Sequence, residues 1–197
     1  MNKILRKTAL TVAGLAFTGG VFAGPALADQ AAAAPATKPV AAAVQADKPA
    51  KEKLIPNGTQ GKQSRIDISD EQRDNVKAII AATKKSGMDE QAAVVAIATS
   101  LQESKLENLG HLGERNDHDS QGLFQQRPSS GWGTVEQITN PEYSTTAFLK
   151  GLKNVKGWKD MPLTEAAQTV QVSAHPFLYA QWENQAADLV AEHWNNS

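Results

Sequence analysis

The sequence predicts a mainly α-helical domain that follows a leader and a flexible tail. Several segments repeat apolar residues at helical spacing between recognisable helix caps. Residues 92–98 carry no polar side chain on any face, which is typical of a helix at the centre of a domain. Runs with the alternation of a strand are nearly absent, so we expect at most a small β-hairpin.

The first 64 residues fall into two segments. Residues 1–28 have a basic start, a short apolar middle and the ending Ala26-Leu27-Ala28, which is the pattern of a cleaved signal peptide. An uncleaved membrane anchor is the alternative, but Gly and Pro interrupt an apolar run that is short for a span. Residues 29–64 are rich in Ala, Pro, Lys and Gln and are predicted to be a disordered linker. We therefore expect a secreted protein.

The third segment, residues 65–197, is long enough for one ordinary hydrophobic core. It holds 12 Lys and Arg against 18 Asp and Glu, a net charge of 12 − 18 = −6. Because nucleic-acid binding needs a basic face, we predict no nucleic-acid partner. The segment has no stretch that is apolar enough to span a bilayer, and the chain has no cysteine for a disulfide or a thiol nucleophile. We expect a monomer held together by packing.

Five helices are expected in this segment. Ser69 and Gln72 fit the capping box of the first helix, and Gly87 ends it. Asp89 caps the second helix, which runs to Leu106. A loop, a short extended stretch at 122–127 and a turn-rich loop follow. Three more helices are expected at 141–154 behind the cap Asn140, at 165–173 behind the cap Thr164, and from Pro176 or Phe177 to His193.

The end of the second helix carries the strongest candidate for catalysis. Glu103 lies in its last turn, where burial and the negative end of the helix dipole both raise the pKa of a carboxyl group. A carboxylic acid that keeps its proton near neutral pH can act as a general acid. Asp117 and Asp119, in the following loop, are candidates for an assisting carboxylate at a glycosidic bond. Taken singly, each Asp also fits a solvated or turn-forming residue.

Other chemistries find less support in the sequence. Asp117 to Gly122 have the D-x-D-x-x-G spacing that begins a calcium loop, but the twelfth position is Pro128 and not Glu. The histidines lack helix-ligand spacing, and Ser104 lacks the G-x-S-x-G setting of a serine hydrolase. We predict no metal and no cofactor.

Several aromatic and amide side chains are candidates for sugar contacts. Trp132 and Trp158 lie in predicted loops beside glycines, where an indole ring can stack on a sugar. Core packing is the better interpretation for Trp182, which falls on the apolar face of the last helix. The remaining candidate substrate contacts are Ser104, Gln125, Gln126 and Tyr179.

Two motifs resemble those of the lysozyme-like superfamily, in particular soluble lytic transglycosylases and goose-type lysozymes. Gln102-Glu103-Ser104 ends an Ala-rich helix, and Gly122-Leu123-Phe124-Gln125 begins 122 − 103 = 19 residues after Glu103, with Phe in the place of the family's Met. The run from Asn116 to Pro128 is also similar to lysozyme-like domains of actinobacterial secreted proteins. The family's A-Y-N-x-G motif is missing from the later helix, where residues 171–174, Gln-Val-Ser-Ala, stand in roughly its place. The resemblance covers about 69–194.

The resemblance implies an α-rich, two-lobed domain with a sugar-binding cleft, located outside the cell at the cell wall. It implies that Glu103 is the general acid/base for the β-1,4 bond between N-acetylmuramic acid and N-acetylglucosamine in peptidoglycan, with Gln125 near the cleft. The family's transglycosylases need only one Glu, because the substrate's own hydroxyl or acetamido group completes the reaction. Hydrolysis and 1,6-anhydro formation both stay open. So do a non-catalytic glycan-binding or wall-structural module and an interaction protein that uses the Trp132 loop.

Overall fold

The computed structural model describes residues 49–197, so the predicted signal peptide and most of the predicted linker lie outside the described residues. Within this range the protein is mainly helical, as the sequence predicts. Gln121 and Gln126 exchange backbone hydrogen bonds of 3.0 Å around a turn, and this bridge is the only strand-like pairing among residues 49–197. The α-helices of that range are α1 (Lys51–Leu54), α2 (Asp70–Lys85), α3 (Glu90–Ser104), α4 (Val135–Ile138), α5 (Pro141–Asn154), α6 (Leu163–Gln171) and α7 (Glu183–His193).

Side-chain caps start α2, α3 and α5 where the sequence predicts them. The Ser69 hydroxyl accepts the Gln72 N–H (3.2 Å) and the Gln72 side chain accepts the Ser69 N–H (2.6 Å), so the capping box is confirmed. Asp89 caps α3 and Asn140 caps α5 through side-chain oxygens. Each cap satisfies an amide that would otherwise lack a partner in the first turn, typically for about 1 kcal/mol.

Helix α3 is the centre of the domain. Every residue from Ala92 to Leu101 is at most 3 % exposed, and the helix packs against α2, α5, α6 and α7. Its alanines let the neighbouring helices approach closely, and burial of Ile97 contributes about 1.5–3 kcal/mol. The buried Thr99 hydroxyl donates to the Val95 carbonyl and so is not left unsatisfied. This packing holds the last turn of α3 in a fixed place.

The packed part of the chain begins earlier than the sequence predicts. Leu54 and Ile55 fall in the predicted linker, yet both are buried in the core, and α1 packs against α3 and α7. The Ser64 N–H donates to the Gln181 carbonyl at 2.7 Å. Residues 51–64, which we call the N-terminal strap, therefore belong to the domain, and the predicted boundary after residue 64 is wrong. Leu54 and Ile55 anchor the start of the strap in the core, and the Ser64 hydrogen bond holds its end.

Two predicted helix starts also differ from the structure. Helix α6 begins directly after Pro162, and the Thr164 hydroxyl donates to the Pro176 carbonyl (2.7 Å) where the sequence predicts a cap. The chain before α7 forms the 3₁₀ helix Leu178–Trp182, so α7 begins at Glu183. The tighter 3₁₀ turn changes the direction in which the side chains of this segment point.

Glu183 is a buried carboxyl group at the start of α7. Its side chain has no exposed surface; Oε2 accepts the Gln60 N–H of the N-terminal strap at 2.5 Å, and Oε1 has no hydrogen-bond partner within residues 49–197. Burial raises the pKa of Glu183 from an ordinary value of 4.5 to about 7. The cause is the lost hydration of the charged form, which the single amide donor only partly replaces.

This carboxyl group predicts a pH dependence of stability. Below pH 4.5 Glu183 is protonated in both the folded and unfolded states, and above pH 7 the folded state must hold a buried charge. The free energy of unfolding should therefore fall between these pH values, on the order of 1–3 kcal/mol. Urea unfolding of Glu183→Gln at pH 5 and pH 8 should give a smaller difference than wild type, because Gln does not ionise. Gln also keeps an acceptor for the Gln60 amide. Asp160→Asn, at an exposed site, should leave the difference unchanged, and an unchanged difference in Glu183→Gln would contradict the prediction.

Candidate active site

Glu103 lies in the last turn of α3, with its side chain half-buried. The preceding residues of the helix are in the core, so the backbone of Glu103 is fixed while its carboxyl group reaches the surface. Burial raises the pKa of Glu103 above its ordinary value of 4.5. The negative charge of Asp117 raises this pKa further, while Lys105 acts in the opposite direction.

Two side chains from the C-terminal part of the domain hold the Glu103 carboxyl group. The Tyr179 hydroxyl donates to Oε1 at 2.7 Å, and the Gln171 amide donates to the same oxygen at 3.3 Å. Both bonds favour the ionised form and so partly oppose the effect of burial on the pKa. None of residues 49–197 donates to Oε2, which leaves this oxygen available to a ligand.

The turn at residues 122–125 is hydrogen-bonded to the end of α3 and to Gln171. The Ser104 hydroxyl donates to the Leu123 carbonyl at 2.9 Å, and the Gln171 amide donates to the Phe124 carbonyl at 2.9 Å. Gly122 adopts a φ of +78°, and a Cβ added there would lie 2.1 Å from the Ile138 carbonyl oxygen. The two motifs that resemble the lysozyme-like family are therefore in direct contact. Ser104 is 5 % exposed, and its hydroxyl is engaged by the protein's own backbone in this connection.

The two loop aspartates occupy different environments. Asp119 accepts hydrogen bonds from the Ser129 N–H (2.7 Å), the Ser129 hydroxyl (2.8 Å) and the Arg127 guanidinium (3.1 Å). The Ser129 hydrogen bonds, with help from Arg127, hold the pKa of Asp119 at about 2. Asp119 is thus committed to closing the loop and is a poor candidate for catalysis. Asp117 is exposed, contacts the His118 ring at 2.6 Å, and is the aspartate whose charge acts on Glu103.

The remaining predicted substrate contacts divide into three groups. Gln126 is 2 % exposed and donates to the Ser144 carbonyl, and Trp158 is 9 % exposed in the core, so neither is open to a ligand. Trp158 packs near Val95, roughly 12 Å along α3 from Glu103 at 1.5 Å per residue. Tyr179 is also buried but reaches the site through its hydroxyl. Gln125 and Trp132 remain partly exposed and open to a ligand.

Left-handed backbone is concentrated around Glu103. Five residues other than glycine within 49–197 have a positive φ. Each follows Glu103 closely or neighbours one of the loop aspartates, Phe124 or Gln171. Such conformations cost non-glycine residues about 1 kcal/mol or more and cluster at functional sites. The five are Lys105 (φ 58°), Leu106 (66°), His118 (56°), Gln125 (47°) and Val172 (51°). Lys105 and Val172 are the left-handed C-caps that end α3 and α6.

The sequence interpretation did not identify Gln171 or Lys105 as partners of Glu103. Gln171 lies 68 residues away in the chain, and its helix has no pattern that marks a polar residue as buried. The Lys105 ammonium packs over the Trp182 ring at 4.8 Å, and burial lowers its pKa. The resemblance placed residue 171 at a family motif, which was the one available signal.

The chain matches no model of a known protein family, and no curated protein is significantly similar to it. Within residues 49–197, no helix is both long and apolar enough to cross a bilayer.

The Tyr179 hydrogen bond predicts the direction of a pKa change. Tyr179→Phe removes the donor that favours ionised Glu103, so the pKa of Glu103 should rise further. A ¹³C NMR titration of the Glu103 carboxyl carbon measures this directly. Tyr143→Phe, at a partly exposed position on α5, is the matched control and should leave the titration unchanged. A fall in the pKa of Glu103 in Tyr179→Phe would contradict the prediction.

Proposed function

We propose that the protein is a secreted cell-wall glycosidase of the lysozyme-like superfamily, with Glu103 as the general acid/base. Its substrate is the β-1,4 bond between N-acetylmuramic acid and N-acetylglucosamine in peptidoglycan. The observation that carries the proposal is the state of the Glu103 carboxyl group: half-buried, with a raised pKa, held at one oxygen and free of donors from residues 49–197 at the other.

This arrangement suits a general acid. The raised pKa keeps more of the Glu103 population protonated near neutral pH. Tyr179 and Gln171 fix the orientation of the carboxyl group through Oε1, so that Oε2 can present its proton to a leaving oxygen. The hydrogen bonds that hold Oε1 strengthen when the group becomes charged, which stabilises the carboxylate after it has given up the proton.

The reaction proposed for this site uses one carboxyl group. Glu103 donates its proton to the glycosidic oxygen, the bond from that oxygen to C1 of the muramyl residue breaks, and positive charge develops at C1. The Glu103 carboxylate then accepts the proton of the muramyl 6-hydroxyl, whose oxygen forms the new bond to C1. This route needs no second carboxylate, which is consistent with the engagement of Asp119 by Arg127 and Ser129.

Digestion of purified peptidoglycan tests the proposal. Soluble fragments analysed by mass should carry 1,6-anhydro-muramic ends, which are one water lighter than reducing ends. Reducing ends would support a glycosidase that uses hydrolysis and not the intramolecular step. In that case Asp117 is the carboxylate left to assist. Retention on peptidoglycan without any release would overturn the glycosidase and favour a non-catalytic glycan-binding module.

A further inference from the structure

A groove lies next to the segment that carries Tyr179, the donor to Glu103. It has a volume of about 670 Å³, within the range of small-molecule and peptide sites, and is lined by the N-terminal strap, the start of α6 and the segment before α7. We call it the side groove and define it by residues 60–64, 162–165 and 177–181. Glu103 does not line it.

The side groove shares a wall with the Glu103 site. The 3₁₀ helix Leu178–Trp182 directs the Tyr179 hydroxyl to Glu103, while Leu178 and Gln181 line the groove. The Gln181 amide also donates to the Gln102 side chain at 3.0 Å, one residue before Glu103. The same short helix therefore contacts the Glu103 carboxyl group on one side and lines the side groove on the other.

The groove presents both signs of charge without internal partners. Lys62 and Glu165 line it, and neither forms an ion pair or a side-chain hydrogen bond within residues 49–197. A ligand with one carboxylate and one ammonium group is complementary to this pair. Ser64 and Gln181 also line the groove, where the Ser64 hydroxyl donates to the Gln181 side chain at 2.8 Å and so fixes this part of the wall.

The groove also exposes apolar surface. Phe177 is 77 % exposed and Leu178 is 42 % exposed, both beside the unpaired charges. Adjacent large apolar side chains left in water are typical of a surface that receives a ligand. The combination of exposed apolar side chains and two opposite charges matches a short peptide better than an uncharged sugar chain.

We propose that the side groove binds the peptide stem of peptidoglycan while the glycan lies over Glu103. The inference rests on the proposed function for the choice of peptide, because each muramyl residue carries such a stem. Lys62 binds a carboxylate of the stem, Glu165 binds the ammonium group of its diamino acid, and Phe177 packs against its alanine methyl groups.

Binding of a synthetic stem pentapeptide to the mature chain, followed by ¹⁵N NMR, tests the inference. Amide signals of the side groove should shift, and Phe177→Ala and Lys62→Glu should each weaken binding at least tenfold. Val172→Ala, an equally exposed apolar position outside the groove, and Lys153→Glu, an exposed lysine on α5, should bind the peptide like wild type. All four sites are exposed, so the variants should fold.

Three outcomes overturn the inference: no shift with the pentapeptide, equal weakening in Val172→Ala, or the same shifts with an N-acetylglucosamine tetramer that carries no peptide. The measurement does not depend on cleavage. If the pentapeptide binds but peptidoglycan is not cut, the proposed glycosidase activity is wrong and peptide binding in the side groove is supported. If peptidoglycan is cut but the pentapeptide does not bind, only the proposal of peptide binding in the side groove is wrong.

Discussion

Glu103→Gln should reduce the release of fragments from peptidoglycan by about 10²- to 10⁴-fold, the usual contribution of a general acid. Gln keeps the shape of the side chain and can still accept from Tyr179, but it has no proton to give. Mass analysis of soluble products at matched protein concentration measures the effect. Glu107→Gln, at an exposed position shortly after α3, is the control and should release fragments like wild type. Equal activity in Glu103→Gln would show that Glu103 is not the acid.

The same substitution should raise stability at neutral pH. Because burial raises the pKa of Glu103, the folded state holds the charged form at a disadvantage relative to the unfolded state, and this penalty grows as pH rises above 4.5. Glu103→Gln removes the penalty, so its Tm should exceed that of wild type at pH 8 and match it near pH 4. A variant that loses activity while gaining stability is the expected signature of a functional residue. A lower Tm at pH 8 would instead indicate that Glu103 is chiefly structural.

Gly122→Ala should destabilise the domain by about 2–4 kcal/mol, combining the cost of a left-handed alanine with steric overlap. The added Cβ would lie 2.1 Å from the Ile138 carbonyl oxygen, and backbone on both sides leaves little room to move. Urea unfolding measures the loss. Gly131→Ala is the matched control, because its φ of +81° is similar but nothing lies within 4 Å of its Cβ position. It should cost only about 1 kcal/mol.

The two glycine variants should also differ in activity, because only Gly122 lies in the turn that is bonded to Ser104 and Gln171. The turn after Gly122 carries the Leu123 and Phe124 carbonyls, which accept from Ser104 and Gln171. Displacing it should therefore lower fragment release from peptidoglycan in the folded fraction of Gly122→Ala, whereas Gly131→Ala keeps its activity. Equal losses of stability in both variants would mean that the contact with Ile138 has no importance.

Local patterns were sufficient for the longer helices. The capping box at Ser69, the cap at Asp89 and the proline at the first position of α5 act within one turn of backbone, so they can be identified without tertiary information. The four-residue helix α4 was missed, although Thr134 and Gln137 form a second capping box at its start. A helix this short has no room for a repeating apolar pattern.

The N-terminal strap shows why composition alone misplaced the domain boundary. Its composition resembles a linker, and only Leu54 and Ile55 enter the core. Hydrogen bonds to residues more than a hundred positions away hold the rest of the strap. Examples are the bonds from Gln60 to Glu183 and from Ser64 to Gln181. No local pattern in the sequence encodes such pairs.

For the candidate site, the sequence by itself determined that Glu103 ends a buried helix and that a glycine turn follows at a fixed spacing. Burial and helix position depend on nearby residues, so these features could be predicted. Only the tertiary structure decided which loop aspartate is engaged by Arg127 and Ser129. Asp119 accepts hydrogen bonds from both residues, and Asp117 is not part of that cluster. It also decided that Tyr179 and Gln171 hold Glu103, because hydrogen bonds between distant segments follow from how helices pack and not from their spacing in the chain.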